Sequence, residues 1–174
     1  GVDNGLLYLL SNEGAGSGDV PPRELYAVNT SDGSVRWHVQ LELGHIQALY
    51  SSGVIYVGTD DALAAYRASE GQLLWSNPAI REAGPALVAN GVLYLNGGVV
   101  AVDASTGNML WQYASGKPML VKAVVNGLVY AITFVTPGSP GQVDNTIYAL
   151  DAATGKVRWT YDIGHDLTFY LTVI

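Results

Sequence analysis

"AVDASTGNMLW", residues 101 to 111, sets an Ala and a Trp ten positions apart around a turn-forming Asp-x-x-Thr-Gly. The same frame returns as "AVNTSDGSVRW" (27 to 37), "AYRASEGQLLW" (65 to 75) and "ALDAATGKVRW" (149 to 159), always with Gly at the seventh place. Trp37, Trp75, Trp111 and Trp159 are the only four tryptophans in the 174 residues, and they are spaced by 38, 36 and 48 positions. A fixed pattern recurring at tens of residues marks a repeat architecture, in which each unit buries its faces against its neighbours.

Around each frame the chain reads as strands. "GVIYVG" (53 to 58) and "GVLYLN" (91 to 96) are β-branched and aromatic runs opened by Gly, and "ALVAN" and "AVVN" lead into such glycines as further strands. Within the frame, Asp accepts backbone N–H bonds in an Asx-type turn, and Gly supplies the positive φ that closes a type I turn with a bulge. Helical periodicity is absent. Each repeat therefore holds four antiparallel strands, A ("ALVAN"), B ("GVLYLN"), C ("VVAVD") and D ("NMLWQY"). A four-stranded unit of roughly 40 residues with a periodic Gly and aromatic signature is expected to be a β-propeller blade. The repeats fall at about 1–45, 46–83, 84–119 and 120–167 of one domain spanning 1–174.

Composition narrows the function classes. A chain with 49% hydrophobic and 13% charged residues can build a core. Net charge −7, with three Lys and five Arg scattered, argues against a nucleic-acid partner, which would need clustered cations. The absence of Cys excludes disulfides and thiolate chemistry. No apolar run reaches the roughly 20 residues of a membrane span, and no basic segment precedes an apolar one as in a signal peptide. The start at Gly1 without Met reads as a piece of a longer protein.

The pattern A-x-D-x-x-T-G-x-x-x-W is complete at Ala101, Asp103, Thr106, Gly107 and Trp111, and again at Ala149, Asp151, Thr154, Gly155 and Trp159. It resembles the tryptophan-docking motif of the pyrroloquinoline quinone (PQQ) repeat propellers. Two copies depart from it. Ala27, Gly33 and Trp37 flank Asn29 and Asp32, while Ala65, Gly71 and Trp75 flank Arg67 and Glu70, so weaker Asx turns are expected there. In the docking reading, the small Ala leaves room, and the indole of one blade seats beside the turn of the next with its N–H on a turn carbonyl. Similar propellers include quinoprotein dehydrogenases, the lipoprotein component of the bacterial outer-membrane protein assembly machinery, and sensor domains. The resemblance also implies work in the periplasm or outside the cell.

A dehydrogenase of this kind would hold PQQ under a Trp, beside Ca²⁺ bound by carboxylate and amide oxygens, with an Asp as base. Here every Trp belongs to the repeat, and Asp103 and Asp151 read as turn residues, so no catalytic, cofactor-binding or metal residue is assigned. The adjacent Asp60 and Asp61 read as a solvated turn. The expectation is a noncatalytic ligand- or protein-binding propeller, with a PQQ- and calcium-dependent dehydrogenase fragment as the alternative and a purely structural spacer third.

Length variation points to one face. From the Ala of strand C to the Gly opening the next strand B the distance is 26 residues each time, whereas from that Gly to the following Ala it is 22, 12, 10 and 22. The excess lies in "SNEGAGSGDVPPR" (11 to 23) and "TPGSPGQVDN" (136 to 145), both B-to-C loops. In a propeller these loops share a face with the D-to-A linkers, and loops on a rigid scaffold commonly carry recognition. The linkers hold His45, Arg81, Lys117 and His165, at 8, 6, 6 and 6 residues beyond their tryptophans. Together they would make a weakly cationic mouth for a carboxylate or phosphate, against a reading as solvated polar residues.

"TFYLTVI" (168 to 174) reads as a strand A, and "GVDN" before Gly5 is too short for a full one. The closing strand 168–174 can then pair with "LLYLL" (6 to 10) and complete the first blade. Within one chain this gives a four-bladed ring. Between two chains it gives an eight-bladed homodimer, which the usual blade number of the resembling proteins favours.

Overall fold

The computed structural model describes residues 2–11, 23–41, 47–133 and 145–164, and every regular element among them is a strand. Among these residues no helix is long and apolar enough to cross a membrane. The fold is all-β, and the described residues form four four-stranded antiparallel sheets, each in sequential order, as in the blades of a β-propeller. The expected closing strand and the bulk of both long inserts lie outside the described residues.

The sheets fall into two compact units, Gly1–Glu82 and Ala83–Ile174. In the first unit, one sheet holds β1 (Val2–Asp3), β2 (Leu6–Leu10), β3 (Arg23–Asn29) and β4 (Val35–Leu41). The other holds β5 (Gln47–Ser51), β6 (Val54–Gly58), β7 (Leu63–Arg67) and β8 (Leu73–Asn77). The second unit repeats this with β9 (Pro85–Ala89), β10 (Val92–Leu95), β11 (Val99–Asp103) and β12 (Met109–Tyr113), then β13 (Met119–Val125), β14 (Leu128–Thr133), β15 (Asn145–Asp151) and β16 (Val157–Gly164). Among the described residues, β1 pairs Val2 with Leu7 and Asp3 with Leu6.

A and B strands meet through two-residue turns whose members both have positive φ, as at Asn90 (51°) and Gly91 (76°). This is the type I′ geometry that suits the twist of a hairpin and favours Asn-Gly. The C-to-D hairpins bring Ala and Trp into cross-strand register in all four sheets: Ala27 with Trp37, Ala65 with Trp75, Ala101 with Trp111 and Ala149 with Trp159. A bulge adjoins each of these pairs, with the extra residue on the Trp strand at Arg36, Leu74, Leu110 and Arg158.

On the other side of each Ala lies a Tyr of strand B, namely Tyr8, Tyr56, Tyr94 and Tyr130. All four alanines are fully buried at 0% exposure. The flanking Tyr and Trp rings reach over the small side chain, with centroids 6.2, 6.1, 6.0 and 5.9 Å apart. A larger residue in place of Ala would push the two rings apart, which is the physical reason for Ala at that position.

Each unit has its own core. Tyr8, Leu25, Ala27, Leu41, Ile55, Val57 and Ala68 cluster in the first, and Tyr94, Val99, Ala101, Met119, Val121, Val129, Ala131 and Leu150 in the second. In the second unit the two sheets are also joined by backbone. Gly97 and Met119 exchange N–H···O bonds of 2.9 and 2.7 Å, and the Asn96 side-chain oxygen accepts from the Val121 N–H at 2.9 Å.

Candidate interaction site

Within each unit, the Trp of one sheet lies on the C-to-D turn of the next. The Trp37 indole N–H donates to the Ala68 carbonyl at 3.0 Å, and the Trp111 indole N–H donates to the Ala152 carbonyl at 3.0 Å. The ring faces cover Gly71 and Gly155. A Cβ built on Gly71 would stand 2.7 Å from the Trp37 ring, and one on Gly155 would stand 2.5 Å from the Trp111 ring. These glycines also sit at φ +69° and +70°, so both conformation and space exclude a side chain. Tyr113, two residues past Trp111, adds a ring contact to Tyr148 at 5.8 Å.

The turns themselves are held by carboxylates where the motif is complete. Asp103 Oδ1 accepts from the Ser105 N–H (2.9 Å), the Ser105 hydroxyl (2.6 Å) and the Thr106 N–H (2.9 Å). Asp151 Oδ1 accepts from Ala153 N–H (3.2 Å), Thr154 N–H (3.0 Å) and the Thr154 hydroxyl (2.9 Å), with Arg158 3.5 Å from its other oxygen. These bonds, led by Ser105 and by Thr154, lower both carboxyl pKa values from 3.8. The first copy compensates for its departure. Asp32 Oδ1 accepts from the Ser34 N–H (2.9 Å) and hydroxyl (2.7 Å), and the Asn29 amide donates to that same hydroxyl at 2.7 Å. At Arg67 the backbone turn persists, with the Gly71 N–H on the Arg67 carbonyl at 2.8 Å.

The four linker residues of the expected mouth divide as follows. His45 and His165 lie outside those residues, and Arg81 and Lys117 belong to different units. Arg81 Nε donates to the Pro78 carbonyl at 2.9 Å. Lys117 stands at a shallow, open depression of about 340 Å³ shared with Gly97, Gly98, Gln112 and Ser115.

Asp60 and Asp61 sit in a tight turn whose N–H groups at Asp61 and Ala62 bond the Thr59 hydroxyl. No group of three His, Cys, Asp or Glu suited to a metal occurs among the described residues. A quinone with its calcium needs an open Trp face beside converging carboxylate and amide oxygens. Trp37 and Trp111 instead cover glycines, and the Asp103 and Asp151 carboxylates are engaged in turns.

Sequence reasoning missed two features. One is the Tyr three residues after each Gly that opens strand B, a signal as regular as the Trp itself. The other is a polar cluster on β3 and β4, where the Tyr26 hydroxyl donates to Glu24, His38 Nδ1 lies 3.6 Å from Glu24, and the Tyr26 and His38 rings stack at 5.7 Å. Glu24 and Tyr26 share one face of β3, and His38 joins them only across the β3–β4 pairing.

The comparisons agree with this architecture. The outer membrane protein assembly factor BamB of Moranella endobia (strain PCIT) is 26% identical, over 75% of this chain and 37% of its own. Among solved structures, BamB from Moraxella catarrhalis matches with TM-score 0.58 and 23% identity, over 80% of this chain and 44% of its own. A europium-containing methanol dehydrogenase matches with TM-score 0.66 and 18% identity, over 94% of this chain and 41% of its own. At such identities the structures share the fold. The chain spans little more than a third of the length of the curated relatives it matches. A family model described as outer membrane protein assembly factor BamB matches residues 22–168, and the chain therefore belongs to that family of PQQ-like repeat propellers.

Proposed function

We propose that this chain is a noncatalytic propeller segment that binds a protein partner through its B-to-C loop face, in the periplasm or outside the cell. The observation that carries the reading is the family match over 22–168, whose description is that of an outer membrane protein assembly factor. The partner would be a protein component of such an assembly machinery. The turn geometry supports the noncatalytic part, because the carboxylates of both complete motifs are engaged by backbone N–H and hydroxyl donors at 2.6 to 3.2 Å. The sets of Ala, Gly and Trp hold neighbouring blades in this reading, leaving the loop face to vary.

The test is co-purification of the tagged chain with envelope proteins, followed by replacement of residues 136–145, and separately of 11–23, by short Gly-rich turns. The expected result is an outer-membrane assembly protein in the eluate that is lost on loop replacement, with the circular dichroism of the chain unchanged. Binding that survives both replacements would overturn the loop-face assignment. Dye-linked alcohol oxidation after addition of PQQ and Ca²⁺ would overturn the noncatalytic one.

A further inference from the structure

Three of the four B-to-C connections are closed at their base by the same bond. In the first sheet the Ser11 hydroxyl accepts from the Glu24 N–H at 2.8 Å, and in the second the Thr59 hydroxyl accepts from the Ala62 N–H at 3.1 Å. In the fourth the Thr133 hydroxyl accepts from the Thr146 N–H at 2.9 Å. Each hydroxyl stands six residues after the Gly that opens strand B, and each N–H three residues before the buried Ala of strand C. The bond lies one rung past the last paired residues, which are Leu10 with Leu25, Gly58 with Leu63 and Ile132 with Ile147. Twelve, two and twelve residues separate the partners, so one bond closes loops of very different length.

The hydroxyls of Thr59 and Thr133 also donate to the carbonyl of the residue whose N–H they accept, at 3.1 and 3.5 Å, and both side chains are buried. At Ser11 and Thr59 the backbone N–H donates to that same carbonyl, at 2.8 and 2.9 Å. A buried strand end needs a partner for its first N–H, and these hydroxyls supply one from inside the protein. The third sheet provides the contrast. Gly97 and Gly98 hold the two corresponding positions, no residue lies between them, and Gly97 exchanges backbone bonds with Met119. Where the connection has no loop to hold, the hydroxyl is missing as well.

We propose that Ser11, Thr59 and Thr133 are positioning residues of the loop face, whose hydroxyls fix the two strand ends between which each B-to-C loop is inserted. The anchor belongs to the sheet, so the sequence and length of the loop are released from any part in holding it. Loops of two or twelve residues are then interchangeable on one anchor, and each is presented from fixed ends. The anchor acts whatever the loop binds, so the inference goes beyond the proposed partner binding and does not depend on it.

Amide hydrogen exchange of the full chain, read residue by residue by NMR, tests it. Thr133→Val keeps the branched shape and removes the hydroxyl. The Thr146 amide should then exchange at least about tenfold faster, while the Tyr130 and Ala149 amides of the same sheet keep their rates. Thr133→Ser returns the hydroxyl and should return the protection. Replacing residues 134–145 by the Asp-Asp pair that joins Thr59 to Ala62 should leave Thr146 protected, and adding Thr133→Val to that variant should expose it. Thr59→Val gives a second reading at the Ala62 amide in case the Thr133 variant does not fold. Unchanged exchange at Thr146 or Ala62 in a folded Val variant, equal acceleration throughout the sheet, or loss of Thr146 protection on loop replacement alone would each overturn the proposal. None of these results bears on whether the loop face binds a partner.

Discussion

Trp111 and Trp159 hold the same register position, opposite a fully buried Ala and beside a Tyr at 6.0 and 5.9 Å, yet their surroundings diverge beyond that sheet. Trp111 lies over Gly155 and bonds the Ala152 carbonyl, while Trp159 remains 44% exposed. The local hairpin sets where the indole stands. Only a neighbouring sheet decides whether that indole is covered, and so how much of its apolar area contributes to stability.

Replacing each Trp by Ala is the strongest way to break this comparison. Trp111→Ala should cost about 3 kcal/mol, since a covered aromatic is truncated and two sheets lose contact. Trp159→Ala should cost less, about 1 kcal/mol, because the more exposed indole buries less apolar area. Urea denaturation midpoints decide it, and equal losses would mean that the neighbouring sheet adds nothing at Trp111.

The glycines beneath sharpen the same contrast. Gly155→Ala should destabilise by roughly 2 to 3 kcal/mol, combining the left-handed backbone with a Cβ in the Trp111 ring. Gly33→Ala carries only the backbone part, about 1 kcal/mol. Thermal unfolding of the pair, at concentrations below any association, should preserve that order. Trp111→Phe isolates the hydrogen bond. Losing the donor to the Ala152 carbonyl should cost about 1 kcal/mol with most of the packing retained.

The smallest expected effect concerns the turns. Asp103 and Asp151 have folded pKa values lowered from 3.8 by their Ser105 and Thr154 bonds. A depressed carboxyl pKa adds stability that is complete above the unfolded value and is lost as pH falls through the folded one. Stability should therefore decline below about pH 4, and Asp103→Asn with Asp151→Asn should flatten that acid limb. Denaturation midpoints followed into acid check this, and an unaltered limb would remove the carboxylates from the account. Both groups are exposed to solvent, so the change is modest.

Much of the fold was legible because its signals are local. The frame from Ala101 to Trp111 specifies a hairpin, and hairpin length specifies which residues face each other, so the Ala-to-Trp pairing follows from spacing alone. The Tyr94 position was equally periodic, but its meaning depends on a third strand lying beside Ala101. Asn96 could not be read at all, since its role is to bond Val121 of another sheet. The Asn29 copy read as a weakened turn, whereas Asp32 and Ser34 supply substitute bonds from inside the same loop.

For the candidate site the division runs along the same line. By itself the sequence determined four equivalent turns and four equivalent indoles, because a backbone turn and its cross-strand partner answer to residues within eleven positions of one another. Tertiary structure alone decided that Gly155 is roofed by an indole while Gly33, in the same conformation, is open. The roof comes from a strand about 40 residues away, and no property of the turn specifies its presence.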